Sequence, residues 1–147
     1  MKPLPHVKLT NTEQCSLCAK LGVNAEGVSV GVAYSRIQEV LDRLFWGVPS
    51  RKPTPKQIAL AAQFGYDISG VSRHEGDSVI ADLMYELNME TIEKERLAPG
   101  VKVKNIHDTV EWIHTISSIR KDGTVFYKGG NGRKAWARSL RRAESEK

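Results

Sequence analysis

Two small groups of side chains have the types and spacing that chemistry requires. Cys15 and Cys18 form a Cys-x-x-Cys pair, which can cycle through a disulfide or supply half of a tetrahedral zinc site. The other half would need a second pair of Cys or His at a zinc spacing. The chain has no further cysteine, and His6 and His74, the nearest imidazoles, do not stand at one. His107, Asp108, Glu111 and His114 are the one concentrated set of acid, base or ligand types, as a small nuclease would need. An extended strand would send His107 and Asp108 to opposite faces. No nucleophile motif, phosphate loop or metal triad accompanies either group. The reading is of a protein that is not an enzyme and takes no metal or cofactor.

A third group lies near the carboxy terminus. Lys128, Arg133, Lys134, Arg138, Arg141 and Arg142 crowd one end of that segment together with Trp136, with Tyr127 at its margin. Cations displace condensed counterions from a polyanion and planar rings stack on unpaired bases, so this is the composition of a nucleic-acid surface. Charge distribution agrees: residues 1–96 sum to −1 and residues 97–147 to +6, within an overall +5. DNA is the expected partner, with RNA or a protein segment as the alternative. Apolar stretches are too short to cross a bilayer, so no membrane partner is expected. The opening Met1-Lys2-Pro3-Leu4-Pro5-His6 lacks the layout of a secretory signal, which predicts a cytoplasmic protein, nucleoid-associated if prokaryotic.

The elements that position these groups begin with a repeat. Gln14, Leu17, Ala19, Gly22, Gly27, Val28, Ser29, Ser35, Ile37 and Leu44 recur 43 residues later as Gln57, Leu60, Ala62, Gly65, Gly70, Val71, Ser72, Ser78, Ile80 and Leu87. In the second copy Thr54 caps a helix, Pro55 occupies its first turn, Gln57 reaches back as a capping box and Gly65 stops it. Ser72 with Glu75 makes a second box before a stripe of Val79, Ile80, Leu83, Met84 and Leu87, and Asn88 reads as its terminator. In the first copy Asn11 and Gln14 replace the Thr54 box and Gly22 stops the helix. Val30, Gly31 and Val32 after Ser29 predict that its second helix starts late, near Ala33 or Ser35. By alignment Cys15 and Cys18 match Ile58 and Ala61, an apolar helix face on which unpaired cysteine is a small buried hydrophobe. Met89 to Arg96 extend the helix or form a solvated connector.

Each copy thus has a helix, a glycine stop, a short connection with a central glycine, a serine cap and a second helix. This resembles the SAP motif, a helix-extended-helix module that in its family binds DNA, over residues 11–47 and 54–89. SAP modules carry a basic residue soon after the central glycine. Arg73 and His74 fit that role in copy two, whereas Val30 and Gly31 stand there in copy one. The resemblance implies that Lys56, Arg73 and His74 contact phosphate, at helix N-termini that favour anions, and that copy one is a packing partner.

After Pro99-Gly100 the periodicity changes to alternation: Val101 and Val103, then Val110, Trp112 and Ile116, then Thr124 to Lys128. Asp122-Gly123 is the strongest hairpin signal and Gly129-Gly130-Asn131-Gly132 a second reversal. With Lys134 to Ala137 as a fourth strand and Arg138 to Arg142 as a turn and fifth strand, residues 97–142 resemble a small Tudor or KOW barrel, a class that binds nucleic acid or protein segments. Trp112 and Trp136 suit either the core of so small a barrel or an exposed platform. The expected fold is α+β: two helical SAP-like repeats and a five-stranded antiparallel β-barrel, between tails at residues 1–10 and 143–147.

Overall fold

The computed structural model describes residues 1–130 and 132–143. It is mixed α+β, with four α-helices and one five-stranded antiparallel sheet. The chain divides into two compact units, Met1–Leu83 and Met84–Lys147. No helix among the described residues is long and apolar enough to cross a membrane.

The first unit is built from the repeat. Helix α1 (Thr12–Lys20) opens on a reciprocal box between Asn11 and Gln14, and α3 (Pro55–Ala62) on the same box between Thr54 and Gln57. Each box satisfies two of the N–H groups that a helix start leaves without intrahelical partners. Both helices end alike. Gly22 and Gly65 adopt φ of 74° and 83°, and the N–H groups of the residues that follow them, Val23 and Tyr66, close back on the Cys18 and Ala61 carbonyls. Cys18 and Ala61 are buried at these matched positions, and Cys15 is half-buried.

The second helix of each copy starts directly after its serine. Helix α2 (Val30–Leu41) begins at Val30, earlier than the late start expected near Ala33 or Ser35, because Ser29 Oγ accepts from Val32 N–H and offsets the weak propensity of the valines and glycine. Helix α4 (Arg73–Glu95) begins where Ser72 Oγ accepts from Glu75 N–H at 3.1 Å. The expected second capping box is only half made: the Glu75 carboxylate instead takes both Nε and Nη2 of Arg36, at 2.8 and 2.9 Å. This fork joins α2 to the first turn of α4. Asn88 does not terminate α4, which runs on to Glu95. α2 passes into a π-helical turn, Asp42–Trp46, that ends at Gly47. Cys18, Val23, Ala25 and Ala33 form the buried cluster of copy one, with Ile37 and Val40 against it.

In the second unit, β1 (Lys102–Asn105), β2 (His114–Ile119), β3 (Thr124–Tyr127), β4 (Lys134–Trp136) and β5 (Leu140–Arg142) lie in the order β4-β3-β2-β1-β5. A bulge between Ile116 and Ser118 lets the start of β2 pair with β1 and its end with β3. The expected barrel is not formed. A 3-10 turn, Ala137–Ser139, steps from β4 to β5, the two edges of the sheet. Edges of a flat five-stranded sheet would stand about 19 Å apart, beyond the reach of so short a link, so the sheet must curl. With only three residues in each edge strand and no ladder between them, it stays open. Leu97, Val103, Ile116, Val125, Ala137 and Leu140 fill the core, with Ile92 of α4 packed against them.

Strand placement differs from expectation between β1 and β2. Residues 106–113 form a connection, not a strand, so Val110 and Trp112 are exposed and the alternation argument separating His107 from Asp108 does not apply. Asn131 of the expected glycine-rich reversal lies outside the described residues.

Candidate nucleic-acid interface

Alternate residues of a strand share a face. Val125, Tyr127 and Ala135 point to the core, which leaves Phe126, Lys134 and Trp136 on the other face. Register aligns Ser118, Phe126 and Lys134 across β2, β3 and β4, and Thr124 with Trp136 in the next row. Two arginines complete this face. The Arg120 guanidinium carbon lies 4.9 Å from the Phe126 ring centroid and that of Arg138 lies 5.0 Å from the Trp136 ring. Each contact holds a cation in place over an aromatic face. Trp136 remains 45% exposed.

Arg138 is also fixed from behind. Its backbone N–H and Nη1 both donate to Asn88 Oδ1, at 3.0 and 3.4 Å, and the Asn88 amide donates to the Asp122 carbonyl at 3.1 Å. Asn88 is buried, so these bonds replace the water it loses. Burial lowers the Arg138 guanidinium from its ordinary value, while arginine remains charged at neutral pH.

The expected cations are distributed over β4, the β3–β4 hairpin, the turn after β4 and β5. Lys134, Trp136 and Arg138 belong to the β4 edge, and Lys128 and Arg133 are exposed at the β3–β4 hairpin. Arg141 and Arg142 belong to β5, at the opposite edge. Arg141 Nη1 donates to the Arg138 and Leu140 carbonyls, at 3.0 and 2.7 Å. Arg142 serves the end of α4: its N–H donates to Glu95 Oε1 at 2.7 Å and its Nη1 to the Arg96 carbonyl at 3.0 Å. A cation on terminal carbonyls suits the negative end of a helix. Sequence reading missed Arg120, whose signal was its place at the mouth of the Asp122-Gly123 hairpin, opposite the aromatic strand.

In the helical unit, Lys56 is exposed on the first turn of α3. Arg73 Nε donates to the Lys52 carbonyl at 3.0 Å, and His74 Nε2 lies 3.4 Å from Asp42 Oδ2. Arg73 and His74 line a cleft with Glu39, Asp42 and Asp77, and Lys56 is not among its lining residues. Arg51 lines the cleft as well, and because Lys56 does not, the three expected phosphate contacts are not gathered in that cleft.

Of the catalytic types, His114 Nε2 lies 3.2 Å from Asp108 Oδ2, and the imidazole stacks on Tyr127 with centroids 4.0 Å apart. Burial pushes the Tyr127 hydroxyl above its ordinary value. Glu111 is exposed and paired with Lys104 at 3.4 Å. Among the described residues no three His, Cys, Asp or Glu side chains are grouped so as to hold a metal ion. Comparison with protein-family models, curated proteins and solved structures returned no match.

Proposed function

We propose that this is a non-enzymatic DNA-binding protein whose main contact surface is the outer face of β2, β3 and β4. The observation that carries this reading is the alternation of Arg120 on Phe126 and Arg138 on Trp136, with Lys134 beside them. Cations held over rings lose less side-chain freedom when they meet phosphate. Lys128 and Arg133 extend the positive surface along the hairpin. The exposed part of Trp136 offers a stacking surface for an unpaired base. The helical unit is read as two SAP-like modules, a reading supported by caps, glycine stops and serine starts repeated 43 residues apart. It contributes at most a secondary contact, through Lys56, Arg73 and His74.

Titration of duplex DNA, single-stranded DNA and RNA over a salt series tests this. The expected result is affinity that falls linearly with log salt, by about 0.9 in slope per phosphate contacted on duplex and about 0.7 on single strands. No binding at low salt, or an affinity independent of salt, would overturn the reading. Tighter binding to RNA than to either DNA would replace DNA with RNA as the partner.

A further inference from the structure

The helical unit holds a cavity that the basic face of the sheet does not use. Its volume is about 390 Å³, within the range of small-molecule sites. Leu4, Val7, Val28, Val32 and Val79 supply apolar walls, and Ser29 and Asp82 are the polar groups that the walls surround. The segment before α1 forms one side because it is tied at both ends. Lys2 N–H donates to the Phe64 carbonyl at 2.8 Å, and the Tyr66 hydroxyl donates to the Lys2 carbonyl at 2.5 Å. At the other end Thr10 N–H donates to the Val28 carbonyl at 3.1 Å and Val30 N–H to that of Lys8 at 3.0 Å. Residues 4–7 arch between these ties, closed by a bond from Val7 N–H to the Leu4 carbonyl at 3.2 Å.

Asp82 is the group that the fold leaves unbalanced. A carboxylate among aliphatic walls costs free energy unless a cation or several donors meet it. Among the described residues its partner is the Ser29 hydroxyl, which donates to Oδ2 while its oxygen caps α2 at Val32 N–H. Oδ1 has no such donor. Burial accordingly raises this carboxyl above its ordinary value. Among the described residues Arg36 is the one cationic side chain that lines the cavity, and it is engaged elsewhere: Nε and Nη2 donate to Glu75, and Nη1 to the Asn24 carbonyl at 2.7 Å. The repeat shows what copy two lacks. Glu39, the equivalent of Asp82, lines a matching cleft with Ser72, Arg36 and Arg43. Forty-three residues on, Arg36 and Arg43 become Val79 and Glu86, so copy two keeps the carboxylate without either cation. A buried carboxylate facing a cavity with no cation of its own marks a place for one from outside.

We propose that this cavity binds a small primary amine in its ammonium form, with the ammonium on Asp82 and a compact apolar body among the leucines and valines. An ammonium carries three donors, so it can meet the Asp82 oxygen that Ser29 leaves open. The apolar body gains by leaving water, and the cation removes the cost of a buried charge that the free protein bears. A carboxylate ligand would meet a like charge, and a neutral one would leave Asp82 uncompensated. The site lies in the helical unit and does not rest on DNA binding by the sheet.

Chemical-shift titration of the nitrogen-15-labelled full chain at neutral pH tests this with cyclohexylmethylamine, set against cyclohexylmethanol and cyclohexanecarboxylate as its neutral and anionic counterparts. The amine is expected to shift the amides of Ser29, Val32, Val79 and Asp82 and to bind at least about tenfold more tightly than either counterpart. Asp82→Asn keeps the size of the side chain and removes its charge, so it should bring amine and alcohol to equal affinity. Val79→Arg supplies from within the cation that copy one has at this position, and it should abolish amine binding, with circular dichroism as the check on folding. Absence of shifts at these four amides up to the solubility limit of the amine overturns the proposal. So does an alcohol or carboxylate that binds as tightly as the amine, or a preference for the amine that persists in Asp82→Asn. DNA affinity is read separately, so its failure leaves this result standing.

Discussion

Ser35 and Ser78, which hold the same place in the two helical repeats, share a hydrogen bond across α2 and α4. Their other contacts are reciprocal. Ser35 Oγ lies 3.0 Å from the His74 carbonyl and Ser78 Oγ 3.0 Å from that of Gly31, and Gly31 and His74 are themselves equivalent positions. Residue i touching j while j touches i is the pattern of a two-fold contact, here made within one chain. The copies pair through equal surfaces, which explains why their second helices conserve a small hydroxyl at the crossing while their loops diverge.

Ser35→Ala and Ser78→Ala should each lower stability by about 1 kcal/mol. The double variant should lose less than the sum, because each single change leaves the other hydroxyl short of a partner. Urea unfolding of the four proteins measures this; simple additivity would show that the hydroxyls do not act as a pair.

Gly123 sits against Asn88 so closely that an added Cβ would meet the Asn88 Cβ at 2.5 Å, and its φ is 92°. Gly123→Ala should therefore cost about 3 kcal/mol or more, from strain and overlap together. Asn88→Ala should cost about 2 kcal/mol by leaving the Arg138 N–H and Asp122 carbonyl unpaired. Thermal unfolding measures both, and a neutral Gly123→Ala would contradict the packing.

Burial raises the Asp82 carboxyl above its ordinary value, and the hydrogen bond from Ser29 partly opposes this. A carboxyl raised by folding holds its proton more tightly in the folded state. Its contribution is therefore fully present below the unfolded value of about 3.9 and is lost as pH rises through the folded one. Asp82→Asn should thus exceed wild type in stability at pH 7, with the difference shrinking toward pH 4. Denaturation midpoints across that range provide the check, and a difference that grows on acidification would reverse the sign.

Arg142 and the cations of the outer face should separate cleanly. Arg142→Ala removes donors from the end of α4 and should cost about 1 kcal/mol of stability with little change in DNA affinity. Replacing Lys134 and Arg138 together should reduce the salt slope on duplex by up to about 1.8. Trp136→Ala should weaken single strands by about 1–3 kcal/mol. Equal effects of Arg142 and Lys134 on the slope would mean that both edges of the sheet contact phosphate.

Much of the local structure was legible from adjacent residues. Asn11 with Gln14 and Thr54 with Gln57 announced two helix starts, since a capping box closes within four residues. Asp122-Gly123 announced its hairpin for the same reason. Asn88 misled because asparagine ends helices when its amide is free to bond locally, whereas here the Asp122 and Arg138 backbone takes it. Val110 and Trp112 misled because alternation alone carries no information about a ladder partner, and residues 106–113 have none in the sheet.

What the order of residues determined by itself was the repeat, its caps and stops, and the change to strands after Pro99-Gly100, all set by propensity and hydrogen bonds of short range. Tertiary structure alone decided that Ser35 meets Ser78, that the sheet stays open, and that Arg138 faces Trp136 while Arg142 closes α4. Those outcomes depend on contacts between residues distant in the chain, whose partners are chosen by packing and ladder register rather than by neighbours in sequence.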